Sequence, residues 1–273
     1  MRLINQRPGR VGAILLGAIP FALALAAYVV GSAVRRAENP QDKLLPSLEA
    51  MGTAFARMAF EADRRSGDYL LWVDTAASLE RLAHGMLIAA GLAIVVGALI
   101  GILPVGRALL SPFVSAFSLI PPITVLPILF IVLGLGEAAK VGLIVVGTAP
   151  LMIRAVAQSV LDLPREEIIR AQTLGASTMQ LTARVVLPQM WPHLVRAIRM
   201  GLVPAWIFLV SAEAIAATEG LGYRIFLVRR YLAMDVIIPY VLWITLIAYV
   251  LDRALALASR RLFPWAHLSG DAL

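Results

Sequence analysis

Six runs of apolar residues constrain this chain more than any other feature: 11–34, about 86–103, 109–134, 141–160, 200–217 and 236–258. Each is long enough to cross a hydrocarbon layer of roughly 30 Å, which takes about 20 helical residues. Lipid offers no partner to a free backbone N–H or C=O, so a spanning segment is a helix or part of a closed barrel. The alternating apolar and polar residues of barrel strands are absent. The expected fold class is therefore an all-α integral membrane domain with six transmembrane helices.

Composition agrees: 60% of residues are hydrophobic and 15% charged, against about 45–50% and about 25% in soluble domains. Six spans leave little chain for a separate soluble domain. The first run is too long for a signal-peptide core, and Val34-Arg35-Arg36 is not a small-residue cleavage site, so it reads as a retained helix. With no cysteine in the sequence, disulfides, thiol catalysis and cysteine-based metal sites are excluded. The net charge of +7 comes from arginines beside span ends, where anionic headgroups lie. No soluble basic domain exists to hold nucleic acid.

Arg2, Arg7 and Arg10 precede the first run and place the N-terminus in the cytoplasm. Six spans return the C-terminus, with Arg253, Arg260 and Arg261, to the same side. The loop Arg35–His84 is then external. Long loops obey the positive-inside rule poorly. With this loop omitted, the inside carries 13 Lys/Arg against 4 outside: Lys140, Arg224, Arg229 and Arg230. Within the loop, Leu48, Met51, Phe55 and Met58 recur at helical spacing after Pro46-Ser47, a suitable N-cap, and predict an amphipathic helix. Arg64-Arg65-Ser66-Gly67 reads as a turn. A second helix is expected to start at Asp74-Thr75 and run through Ser78, Arg81 and Gly85 into the second span.

The third run contains Ile120-Pro121-Pro122-Ile123 and Pro127. Each proline removes a backbone donor and disfavours regular helix, so this backbone is expected to bend or break. Two readings follow: a kink that serves packing, or a broken helix lining a path for solute. Gly134-Leu135-Gly136 ends this run. Between the fourth and fifth runs lies a polar segment. Pro164 at an N1-like position, with Glu166 and Glu167 near the positive dipole end, predicts a helix start. Leu174-Gly175 predicts its stop, with Gly175 at positive φ. Ala176-Ser177 is expected to open a second short helix ending near Leu187-Pro188. The stretch Glu219–Tyr223 reads as an external turn, and Arg224–Asp235 as a polar connection.

Chemistry-bearing motifs are few. No GxxxxGK[ST], HExxH or GxSxG occurs, and His84, His193 and His267 are scattered. No metal, cofactor or catalytic set is expected. Among the spans Glu213 stands out as the main ionisable residue. It is read either as a gate or path residue, or as an acid paired with an arginine near the outer interface. No chain of buried acids crosses the membrane and no paired halves are evident, which disfavours a secondary carrier or channel. The missing catalytic set disfavours a membrane enzyme.

At the polar segment the chain resembles the permease subunits of binding-protein-dependent type I ABC importers. Their signature is EAA, three residues, Gly, nine residues, then I-x-L-P. Here it reads Ile169-Arg170-Ala171, then Gly175, then Val185-Val186-Leu187-Pro188, with Ile169 in place of the acid. Ser78-Leu79-x-Arg81-x-x-x-Gly85, Pro121-Pro122, Ala212-Glu213 and Gly220-Leu221-Gly222-Tyr223 extend the likeness from about Leu44 to Trp265. As a set these motifs resemble the nitrate/sulfonate/taurine branch. The Arg64–Tyr69 and Glu219–Asp235 stretches resemble permeases that accompany urea- or guanidine-carboxylating systems.

The resemblance implies a multi-pass permease of the bacterial inner membrane that imports a small polar solute by alternating access. The expected organisation is a tail and first helix (1–34), an external loop (35–75), a permease core (76–265) with coupling helices at about 164–188, and a C-terminal tail (266–273). The implied partners are a second copy of the chain, a dimer of ATP-binding subunits, a periplasmic substrate-binding protein and the bilayer. ATP and Mg would be bound by the ATPase and not by this chain. Arg170, Ala171, Leu174, Gly175, Ala176, Ser177, Leu187 and Pro188 would couple to the ATPase. Pro121, Pro122, Trp206, Ser211 and Glu213 would border the path or gate.

Overall fold

A computed structural model describes residues 9–39, 42–64 and 66–267. Arg2, Arg7, Arg65 and the tail beyond His267, on which parts of the sequence reading fall, lie outside the described residues. Among the described residues every regular element is helical. In order they are α1 (Arg10–Glu38), α2 (Leu48–Phe60), α3 (Leu70–Ile102), α4 (Pro104–Phe117), α5 (Pro122–Leu133), α6 (Glu137–Leu161), α7 (Arg165–Thr173), α8 (Thr178–Leu181), α9 (Leu187–Ala216), α10 (Leu221–Arg229) and α11 (Met234–Leu262). Five helical stretches are long and apolar enough to cross a membrane, and α4 with α5 forms a sixth, bent by 97° at the break.

The chain divides into two compact units, residues 1–69 with 228–241, and residues 70–227 with 242–273. In the first, the most apolar 18-residue window of α1 has no buried residue, as suits a helix whose solvent is lipid. Ser47 caps α2, its side chain accepting from the Ala50 N–H at 3.0 Å. The buried side of α2 holds Met51, Ala54 and Ala59, while Leu48 stays half exposed. Tyr28 Oη donates to the Pro46 carbonyl at 2.7 Å and Ser32 Oγ to the Leu45 carbonyl at 2.9 Å, fastening the loop to α1.

The second unit is organised around α3 packed on α6, with α6 in turn on α9. The α3–α6 seam is made of small residues four apart. A Cβ at Gly85 would lie 2.6 Å from Ile144 Cγ2, at Gly97 2.8 Å from Val156 Cγ1, and at Gly101 2.5 Å from Val160 Cβ. Ala89 and Ala93, both fully buried, continue the same spacing. Helices in lipid gain no hydrophobic drive from meeting each other, so close backbone approach over small residues supplies the attraction. A smaller cluster of Leu126, Leu143 and Ala212, with Leu129, Phe130 and Phe208 against it, joins α5, α6 and α9.

Four expectations change. The second span is the end of a 33-residue helix that starts at Leu70, a few residues before Asp74-Thr75. Pro164 is the N-cap of α7 and not its first helical residue. The second helix of the polar segment does not stop at Leu187-Pro188: α8 continues through a π-helical turn, Thr182–Val186, into α9. The Leu187 N–H bonds the Thr182 carbonyl, five residues back. This wider turn moves the carbonyl that Pro188 cannot bond away from its ring, so the proline is tolerated. Arg224–Asp235 is not an irregular connection, because α10 occupies Leu221–Arg229.

Candidate functional site

The corner between α7 and α8 is stitched by two caps back to back. Gly175 adopts φ 82°, which a residue with a Cβ reaches only with strain. Its N–H bonds the Gln172 carbonyl at 2.9 Å, and the Ala176 N–H bonds the Ala171 carbonyl at 3.0 Å. These are the two bonds of a Schellman motif. Ser177 then opens α8 with a capping box: its hydroxyl accepts from the Gln180 N–H at 3.3 Å, and Gln180 Oε1 accepts from the Ser177 N–H at 2.9 Å. Four residues, Leu174 to Ser177, separate the helices, and each side of the turn is closed by its own cap. Ser177-x-x-Gln180 is legible in the sequence and was missed there.

This corner leaves large apolar side chains uncovered. Leu174 is 88% exposed and Met179 82%. Ala171 and Ala176 are half buried, while Arg170, Gly175 and Ser177 are exposed. Behind the corner, Ile168, Gln172, Ala176, Leu181 and Val186 line a cleft of about 260 Å³ with Gly101–Leu103 at the end of α3. Gln189 Nε2 donates to Glu167 Oε2 at 2.6 Å and ties α7 to α9. Leu187 and Pro188 lie beyond the π turn, away from the exposed tip, with Leu187 half buried and Pro188 exposed.

A second constellation is buried among α3, α6, α9 and the turn before α10. Glu213 is fully buried. It accepts from Ser78 Oγ at 2.8 Å, Arg81 Nη1 at 2.8 Å and the Gly222 N–H at 2.8 Å. Arg81 also donates to both oxygens of Glu137, from Nε at 2.5 Å and from Nη2 at 2.9 Å, and to the Glu219 carbonyl at 2.8 Å. Lys140 Nζ reaches Glu137 at 2.7 Å. Asp74 accepts from the Gly220 N–H at 2.9 Å and from Arg224 Nε at 2.7 Å. Gly220 sits at φ 126°, and a Cβ there would lie 2.6 Å from Glu213 Cδ, so the turn closes over the carboxylate only with glycine. Of the two readings of Glu213, the geometry matches the acid paired with arginine. Its side-chain partners are Arg81 and Ser78, with Glu137 on the far side of Arg81, and sequence spacing alone does not reveal them.

The remaining candidates do not converge on one point. The α4–α5 break at Ser118–Pro121 confirms that the prolines interrupt the helix. Pro122 lines a cavity of about 620 Å³ with Ser118, Arg154, Gln158, Pro204 and Phe208 among others. Pro121 is exposed outside it, Trp206 is buried, and the half-buried Ser211 donates to the Ile207 carbonyl at 2.7 Å. Arg154 was passed over in the sequence although it falls within the fourth run.

The segment 89–264 matches the family model described as binding-protein-dependent transport system inner membrane component. The chain is 37% identical over 199 residues, 72% of each chain, to the taurine transport system permease protein TauC of Escherichia coli K12. It is 27% identical over 224 residues, 82% of each, to the putative aliphatic sulfonates transport permease protein SsuC of the same organism. In structure it is similar to a chain of the MetNI methionine ABC transporter in an inward-facing conformation, with a TM-score of 0.58, 22% identity, and coverage of 79% of this chain and 99% of that one. The last likeness speaks for the fold alone; the first two and the family match speak for the kind of protein. On these grounds the chain belongs to the inner-membrane components of binding-protein-dependent transport systems, the permease subunits of ABC importers.

Proposed function

We propose that this permease works as a homodimer whose α7–α8 corner docks into a separate ATPase, and that the pair imports a small sulfonate-like solute. The exposed Leu174 and Met179 on a doubly capped corner carry this reading. A soluble surface has little reason to hold two large apolar side chains on a fixed turn unless a partner covers them. From the corner, helix continues from Thr178 to Ala216, 39 residues or nearly 60 Å at about 1.5 Å per residue. Motion imposed on the corner by closure of an ATPase pair is thereby delivered into a membrane-crossing helix as a rigid body, the kind of step that alternates access.

The corner and both termini face the cytoplasm, following the arginine asymmetry of the sequence. A binding protein delivers solute on the other side, and ATP with Mg is held by the ATPase. The taurine and sulfonate permeases among the relatives support the solute class. The test is co-purification of the ATPase with Leu174→Asp and Met179→Asp permeases. Each variant is expected to lower ATPase recovery at least tenfold with membrane insertion unchanged. Undiminished recovery in both overturns the docking role.

A further inference from the structure

A charge that nothing yet described uses lies inside a membrane-crossing helix. Arg154 is seven residues before the end of α6, about 10 Å by helical rise. Its α6 neighbours Met152, Ile153, Val156 and Ala157 are buried, while Arg154 itself remains exposed. Its Nη1 donates to Ser118 Oγ at 3.3 Å, and among the described residues no carboxylate forms an ion pair with it. A guanidinium has five N–H donors in a fixed fork. A charged side chain within a spanning segment turns to the bundle interior or to a water-filled cavity, and such charges border ion or solute paths in many membrane proteins.

Arg154 lies on the wall of two cavities, and each also has polar side chains in its lining. It lines the 620 Å³ cavity at the helix break together with Ser118 and Gln158. It also lines an adjoining cavity of about 220 Å³ with Ser111, Ser115 and Arg107. Ser111 and Ser115 lie four apart on one face of α4, and Ser118 is the C-cap of that helix. Gln158 gives its amide N–H to Asp162 at 2.7 Å, and Arg107 gives two donors to the Ile100 and Gly101 carbonyls. Ser118 Oγ gives its proton to the Ser115 carbonyl at 2.8 Å, so the guanidinium of Arg154 is the strongest uncommitted donor along the two cavities, which share Arg154 and Gln158 in their linings.

We propose that the paired cavities are a transit site for a small oxyanion, held by the Arg154 guanidinium with the Ser111 and Ser115 hydroxyls of α4. Planar guanidinium matches the oxygens of a sulfonate or carboxylate group in a way that a neutral solute does not exploit. The proposal rests on the import reading above, and extends it by assigning anion selection to residues of this chain rather than to the delivering protein alone.

The absence of native cysteine makes the test direct. Ser118→Cys places a single thiol beside Arg154 in the full-length chain, reconstituted in phosphatidylcholine vesicles. The rate of its reaction with an anionic sulfonatoethyl methanethiosulfonate is compared with that of the cationic trimethylammonium analogue. Adding Arg154→Gln is expected to lower the anion-to-cation ratio about tenfold, while Arg154→Lys keeps it within about twofold; removal of one nearby unit charge in a partly dielectric site is ample for such a change. Methanesulfonate is expected to slow the anionic reagent, and urea is not. An unchanged ratio in Arg154→Gln, or no reaction with either reagent, overturns the proposal. So does an Arg154→Gln effect that vanishes when phosphatidylglycerol replaces phosphatidylcholine, because an anionic lipid headgroup would then be the occupant; the comparison within one lipid cancels the surface potential. The measurement needs no ATPase, so it decides the anion site even where the Leu174 and Met179 variants overturn the docking role.

Discussion

Replacing Glu213 with glutamine tests whether the buried ion-pair network holds the second unit together. One carboxylate oxygen takes Ser78 Oγ and Arg81 Nη1, the other the Gly222 N–H. Glutamine keeps one acceptor. In its better orientation the carbonyl faces Ser78 and Arg81, and the amide nitrogen opposes the Gly222 N–H, leaving that buried donor without a partner. An orphaned buried donor costs about 1–3 kcal/mol. The lost charge adds to this, but Arg81 keeps both oxygens of Glu137, so the total stays below the roughly 3–5 kcal/mol of a fully broken buried pair. The expected loss is about 2–3 kcal/mol. Arg81→Ala is expected to cost more, because it strands the Glu213 charge in the interior. The assay is reversible unfolding of the purified chain in mixed micelles, titrated with denaturing detergent. A Glu213→Gln loss under about 0.5 kcal/mol, or a larger loss than that of Arg81→Ala, would refute the reasoning.

Three further outcomes follow from other parts of the molecule. Gly97→Ala forces a Cβ to within 2.8 Å of Val156 Cγ1 and 3.1 Å of the Ile153 carbonyl; because the latter is backbone, α3 and α6 must part, at about 1–3 kcal/mol in the same unfolding assay. Gly175→Val places a β-branched residue at φ 82° and is expected to abolish transport-coupled ATP hydrolysis while the permease still inserts, since only the corner is strained. Asp42, outside the spans, has its carboxyl held below the usual range first by the Leu44 N–H at 2.9 Å and further by Arg35, against some desolvation. Its contribution to loop order is therefore present above the ordinary carboxylate pKa and is lost as pH falls through the depressed value; the protection factor of the Leu44 amide against hydrogen exchange should fall only in that acidic window.

Much of the corner was legible because its signals are local. Pro164, the acids of the first turn, Gly175 and the spacing to Leu187-Pro188 act on the backbone within a few residues of themselves. The course of the chain after Pro188 was not legible, because a proline reads as a stop unless the turn before it widens. That widening is a matter of which carbonyl the Leu187 N–H selects. Glu213 stood out as an acid in an apolar run, yet its partners lie 132 and 135 residues away at Arg81 and Ser78. Arg154 did not stand out because the arginine asymmetry counts it with the inside charges; its place on a cavity wall exists only once α4 and α9 pack beside α6.

The amino-acid sequence alone determined that this protein is helical, crosses a membrane about six times and carries a polar corner between two spans. Those properties follow from length, hydropathy and turn chemistry, which neighbouring residues dictate regardless of the rest of the chain. Tertiary structure decided what the small residues of α3 are for, which arginine neutralises Glu213, and which polar side chains share the cavity at the broken helix. Each of these depends on helices that meet only after folding, and close backbone approach or a buried ion pair exists only where two such surfaces coincide.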